Sequence, residues 1–201
     1  MKQFRPSQGF AYSNYKQKRF NKVAKALGVE KKYVDYIYGS TDVAQTIAAA
    51  EADPATQKQL SGVPIGDGAR SRDGRCITIK SIHINGVITS YTPNDRVVRI
   101  ALVKDTQTNG VQLEAQNVFQ SAGGVGNDIN TFRNLDYVKR FQVLKDLTFD
   151  INTGFADAGA ISTMKHFSIN VPMNMEVNHI LGGDTVADVT DNSLHLLAPV
   201  S

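Results

Sequence analysis

The chain has 201 residues, 41% of them apolar, a formal net charge of +3 and one cysteine, Cys76. That is enough for one domain with a sizeable core plus extensions. No apolar run approaches the ~20 residues of a membrane helix, and a lone thiol rules out an internal disulfide framework. No apolar signal core follows Met1 to Pro6 and no Asn-x-Ser/Thr sequon occurs, so the expected setting is a reducing compartment without secretion.

The charge is unevenly placed. Residues 1–40 carry nine basic side chains against Glu30 and Asp35, a balance of +7, so the rest of the chain sums to −4. A basic head on a mildly acidic body suggests an arm that meets a polyanion, although a solvated lysine-bearing helix has the same composition. Phe20, Val23, Ala24 and Leu27 recur at helical spacing with Lys18, Arg19, Lys22 and Lys25 opposite, predicting an amphipathic basic helix closed by Gly28. Lys31 and Lys32 then lead into Tyr33, Tyr36 and Tyr38. Such residues can stack on unpaired bases, or simply pack on a neighbouring surface. A second helix is expected from about Thr41 to Glu51, and Gly62 to Gly74 reads as a flexible joint. Residues 1–65 are thus expected to form a helical or irregular arm.

From residue 75 the pattern becomes that of strands. Ile77 and Ile79 alternate, then the phase shifts to Ile82 and Ile84, predicting a bulge near Lys80-Ser81. Residues 96–105 are apolar on both parities (Val98, Ile100, Leu102 against Val97, Ala101, Val103), which predicts an interior strand. Thr108-Asn109-Gly110 supplies a turn, and the Gln-, Gly- and Asn-rich residues 113–132 read as a long surface loop. Phe141, Val143, Leu147, Phe149 and Ile151 share one parity, predicting a long strand with one buried face that bends or bulges at Lys145-Asp146. Phe167, Ile169 and Val171 alternate again, and Leu194, Leu196 and Ala198 close the series. Strands joined by long turn-rich connections, without amphipathic helices between them, point to a β sandwich or jelly roll.

Nothing in the chain forms a recognised catalytic constellation, so no enzyme activity and no cofactor is expected. There is no phosphate-binding loop, and Gly124-Val125-Gly126 is only a fragment of a dinucleotide fingerprint. His83, His166, His179 and His195 are dispersed, which favours local hydrogen bonding over metal ligation. Asp105-x-Gln107-x-Asn109-Gly110 has the outline of a calcium loop, but its twelfth position is Gln116 rather than a glutamate; a turn is the simpler reading. Cys76 reads as a small buried hydrophobe of a strand.

Four blocks in this order are similar to the jelly-roll capsid proteins of circular, Rep-encoding single-stranded DNA viruses, the group that includes the circoviruses. They are Ile77 to Ile88, Val97 to Gly110, Asn134 to Asp146 and Lys165 to Pro172, followed by a closing strand from Asn192 to Ala198. Plant satellite-virus coats share this fold. The resemblance covers residues 75–201 and implies an eight-stranded antiparallel jelly roll. It also implies self-assembly into a sixty-subunit T=1 icosahedral virion shell, and a basic N-terminal arm on the single-stranded DNA inside. On that basis the expected nucleic-acid-binding residues are Lys16, Lys18, Arg19, Lys22, Lys25, Lys31, Lys32, Arg70, Arg72 and Arg75, with Lys80 a further candidate on the inner face.

Lys16 to Arg19 and Lys31-Lys32 also read as a nuclear import signal for host import factors, placing assembly in the nucleus; no membrane partner is expected. The arm departs from the family pattern in being lysine-containing and only moderately charged. Sixty arms would carry roughly 420 positive charges, fewer than the phosphates of a genome whose coat gene alone takes about 600 nucleotides. Mobile cations or further basic residues would have to supply the difference. The alternative from a different class is a jelly-roll attachment or carbohydrate-binding module, for which the absence of tryptophan is unfavourable.

Overall fold

The computed structural model describes residues 31–35, 57–89, 96–111, 113, 115–120, 131–151 and 164–199. Residues 1–35 form one compact unit and residues 36–201 a second. The helices expected in 16–28 and 41–51 lie outside the described residues. In the second unit the strands are β1 (Gln57–Gln59), β2 (Cys76–Thr89), β3 (Arg96–Asp105), β4 (Phe141–Ile151), β5 (Met164–His179), β6 (Val189–Asp191) and β7 (Ser193–Leu197). A one-turn helix, α1 (Ala115–Val118), and two 3-10 turns (Leu135–Tyr137 and Val186–Asp188) complete the described elements. The strands make two antiparallel sheets, ordered β1-β7-β3-β4 and β2-β5-β6. The fold is all-β, a sandwich-like pairing of two sheets.

The core between the sheets follows from the alternation. Val98, Ile100 and Leu102 of β3, with Ile151 of β4, meet Ile88 and Ile169 from the other sheet. Along β5, Phe167, Ile169, Val171, Met173, Met175 and Val177 keep a single phase. Its partner β2 shifts phase between Ile79 and Ser81, where the sequence predicts the bulge. Inside the sandwich Phe167 lies across Gly86, where a Cβ would come within 2.3 Å of the ring. Phe167 then packs on Phe149 at 6.1 Å between centroids. The glycine leaves the ring its place.

The expectation of a single buried face for β4 is corrected by its bulge. Val103 is opposite Val143 and Leu102 is opposite Lys145, so Leu144 is the extra residue. One inserted residue turns all later side chains to the other face. Phe141 and Val143 therefore pack outward with Ala101 and Val103, whereas Leu147, Phe149 and Ile151 pack inward with Val98, Ile100 and Leu102. Numerical parity is preserved while the physical face changes.

The outer face of this sheet is also covered, which explains why β3 is apolar on both parities. Leu113, Ala115, Val118 and Phe119 lie on Ala101, Val103, Phe141 and Leu197. The reading of 113–132 as surface loop is thus corrected for Leu113 and residues 115–119, where Phe119 is fully buried. Arg99 fastens this cover. Its Nε and Nη2 donate to the Asp146 carboxylate at 3.0 and 2.7 Å, and its Nη1 to the Thr131 carbonyl at 2.9 Å. The guanidinium also stacks 3.7 Å from the centroid of Phe119, so charge, hydrogen bonding and ring contact act at one point.

Two further expectations about the arm are corrected. Gln57–Gln59 is a strand on β7, so the β body begins well before residue 75. Gly62 to Gly74 is no free joint, because Ser61 and Val63 are buried and a Cβ on Gly62 would fall 2.0 Å from the Asp184 carbonyl oxygen. Cys76 is exposed rather than buried. Insertion of one alanine after Lys145 is expected to prevent folding, because either Phe141 and Val143 or Leu147 to Ile151 would then face the wrong way. Leu144→Ala, which keeps the phase, should cost about 1–3 kcal/mol. Urea denaturation of the two variants distinguishes these outcomes.

Candidate functional site

Two kinds of surface bear on function, one basic and one apolar. Of the basic residues singled out in the sequence, Lys16, Lys18, Arg19, Lys22 and Lys25 lie outside the described residues. Lys31 is exposed and Lys32 half-buried, beside Tyr33, which is 84% exposed. Arg70 and Arg75 are exposed on the loop leading into β2. Lys80 is exposed on β2, where its Nζ bonds Asn174 Oδ1 across the strand pair.

Arg72 is corrected from a nucleic-acid contact to a structural one. It is 3% exposed, and its guanidinium donates to the carbonyls of Val63 (2.7 Å), Gly74 and Leu181. Burial draws its pKa below the ordinary value, with Asp188 opposing. Asp188, in turn, has its pKa held low by the Thr185 hydroxyl and backbone N–H groups. With Arg72 removed from the set, Arg70 and Arg75 are balanced in sequence by Asp67 and Asp73. This corner of the body has no net positive charge to offer a polyanion.

The apolar surfaces were not legible as sites in the sequence. Around the 3-10 turn before β4, Phe132 (83%), Leu135 (72%), Tyr137 and Val138 are all exposed. The turn itself is fixed by Asn134, whose side-chain oxygen accepts from the Asp136 N–H at 3.1 Å. Its end is tied to the sheet through Arg140, whose Nε and Nη2 both lie 2.9 Å from the buried Asp105 carboxylate. A second patch consists of Ile65, Ile180 and Leu181, joined where the Ile65 N–H donates to the Gly182 carbonyl at 2.8 Å. The available signal was a run of large apolar residues in turn-forming segments that fit neither strand nor helix period.

Among the described residues the polar groups form no complete nucleophile, base and orienting set. Ser193 Oγ lies 2.8 Å from His195 Nε2, the spacing of a nucleophile and base, but both residues are fully buried. His195 Nδ1 has no hydrogen-bond partner, so no third group orients the ring. Asp105, in the would-be calcium loop, is committed to Arg140 and to the Gln107 N–H. Among the described residues no three His, Cys, Asp or Glu side chains converge on a metal-sized space. His83 and His166 are exposed on β2 and β5, and an open groove of about 490 Å³ is lined by Asn85, Gly86, Val87, His166, Phe167 and Ser168.

No family model matches the chain, and no curated protein matches it significantly. The assignment of Arg72 has a direct test. Arg72→Gln should cost about 2–4 kcal/mol by leaving buried carbonyls unpaired, whereas Arg70→Gln should change stability by less than about 0.5 kcal/mol. Chemical denaturation of both variants decides it.

Proposed function

We propose that this protein is a structural coat subunit that assembles with copies of itself into a closed shell around single-stranded DNA. The β body would be the wall and the basic N-terminal segment the genome contact. The observation that carries this reading is the division of one chain into a +7 head and an acidic two-sheet body bearing exposed apolar turns. Patches such as Phe132–Leu135–Tyr137–Val138 are costly to leave in water and are normally covered by a partner. A second copy of the chain is the occupant that a shell supplies.

The finer features belong to the same proposal: an eight-stranded jelly roll, a sixty-subunit T=1 particle, assembly in the host nucleus, and kinship with the coats of circular Rep-encoding viruses. The order of the β blocks supports them. The groove beside His166 favours the second reading, a carbohydrate-binding module. Binding to a glycan array by a species that never assembles would select that reading instead.

Negative-stain microscopy and light scattering of the purified full-length protein test the leading reading. Uniform closed particles are expected; a monomer at all salt concentrations and pH values would overturn it. Leu135→Asp and Phe132→Asp should abolish particles while leaving the far-ultraviolet dichroism of the β body intact. Binding of single-stranded DNA should weaken with salt along a logarithmic slope of about −5, the value for about seven phosphate contacts. A slope near zero would remove the arm from the genome contact.

A further inference from the structure

Three buried side-chain atoms without a hydrogen-bond partner, Gln59 Nε2, His179 Nδ1 and His195 Nδ1, border one short segment, residues 59–63. This segment ties the chain N-terminal to it onto the β body. Gln59 pairs with His195 in the β1–β7 ladder. The Leu60 N–H donates to the Leu194 carbonyl at 2.7 Å, and the Leu194 N–H donates to Ser61 Oγ at 3.0 Å. The Ser61 carbonyl lies 3.2 Å from His179 Nε2, and Ser61, His179 and His195 are all buried.

Each histidine fits only when neutral. Facing a carbonyl, His179 Nε2 must carry the hydrogen, so protonation adds an N–H at Nδ1 where nothing accepts it. It also places a positive charge near Arg72 of the 65–72 loop, which Asp188 of the second 3-10 turn offsets only in part. His195 is bonded to Ser193 on its own strand. The charged group facing it is Asp105 of β3, already paired with Arg140.

We propose that residues 57–63 are an acid-released strap: protonation of His179 and His195 detaches β1 and the chain before it while the β2–β5 and β3–β4 ladders persist. Burial supports this by lowering the pKa of His195 to about 4 and, together with Arg72, by lowering that of His179. An ordinary histidine titrates near 6.5, so the open strap takes up protons that the closed strap excludes. The strap is therefore fully held above about pH 6.5 and weakens as pH falls toward 4. Each histidine contributes up to about a tenfold rise in the opening constant per pH unit. The inference concerns the β body alone and holds whether or not the protein forms a shell.

Hydrogen exchange of the full-length protein between pH 7.5 and 4.5, corrected for intrinsic rates and read by mass spectrometry, tests it. Peptides spanning 57–63 should lose protection steeply below pH 6.5, ahead of peptides from β2, β3, β4 and β5. His179→Gln, which can still donate to the Ser61 carbonyl but does not titrate, should flatten that loss, and His195→Gln should flatten it further. Equal protection of 57–63 at pH 7.5 and 4.5, or simultaneous loss across all strands, would overturn the proposal. So would an unchanged pH profile in His179→Gln. Should His195→Gln fail to fold, the wild-type comparison between segments and His179→Gln decide the matter.

Discussion

One inserted residue, Leu144, lets a single strand serve two cores. Before it, Phe141 and Val143 belong to the layer formed with α1; after it, Leu147, Phe149 and Ile151 belong to the sandwich interior. The inversion also decides where Asp146 goes. Were Leu144 held in the ladder instead of bulged, this carboxylate would point between the sheets, unpaired and costly to bury. With it, Asp146 emerges on the outer face, where Arg99 holds it together with Phe119 and Thr131. Packing of the cover, pairing of the charge and filling of the interior are thus consequences of one local backbone choice.

Much of the sheet structure was legible because period-two alternation is a local property. The slip between Ile79 and Ile82 and the doubly apolar β3 both correspond to observed features. What escaped the sequence depended on partners far along the chain. Gln57–Gln59 is too short and too polar to announce itself, and it is a strand only because β7 offers an edge about 140 residues later. Leu113, Ala115, Val118 and Phe119 were hidden by the Gly- and Asn-rich stretch that follows them. Their burial is set by the face that β3 and β7 present. Arg72 looked like an exposed cation because arginine usually is one. Its carbonyl partners at Val63, Gly74 and Leu181 exist only once three segments have met.

The resemblance to viral coats put Arg70, Arg72 and Arg75 among the expected contacts to a polyanion. Arg72 belongs to the interior of its corner and Asp67 and Asp73 balance the others, so the excess of formal positive charge lies in residues 1–40. The apolar turns, by contrast, are rigidly presented. Asn134 caps the turn before β4 and Arg140 anchors its end, so Leu135 and Tyr137 are displayed on a fixed scaffold. Rigid display lowers the ordering cost of association.

The buried guanidinium of Arg72 has a kinetic side. It joins the loop after β1, the start of β2 and the turn after β5, with Leu181 lying 109 residues beyond it in sequence. A contact with that separation carries a loop-closure entropy comparable to that of the β1–β7 and β2–β5 pairings. Where such bonds form after the transition state, weakening them speeds unfolding and leaves the folding rate almost untouched. The corner acts as a latch between distant segments, and its loss is expected to shorten the lifetime of the folded protein.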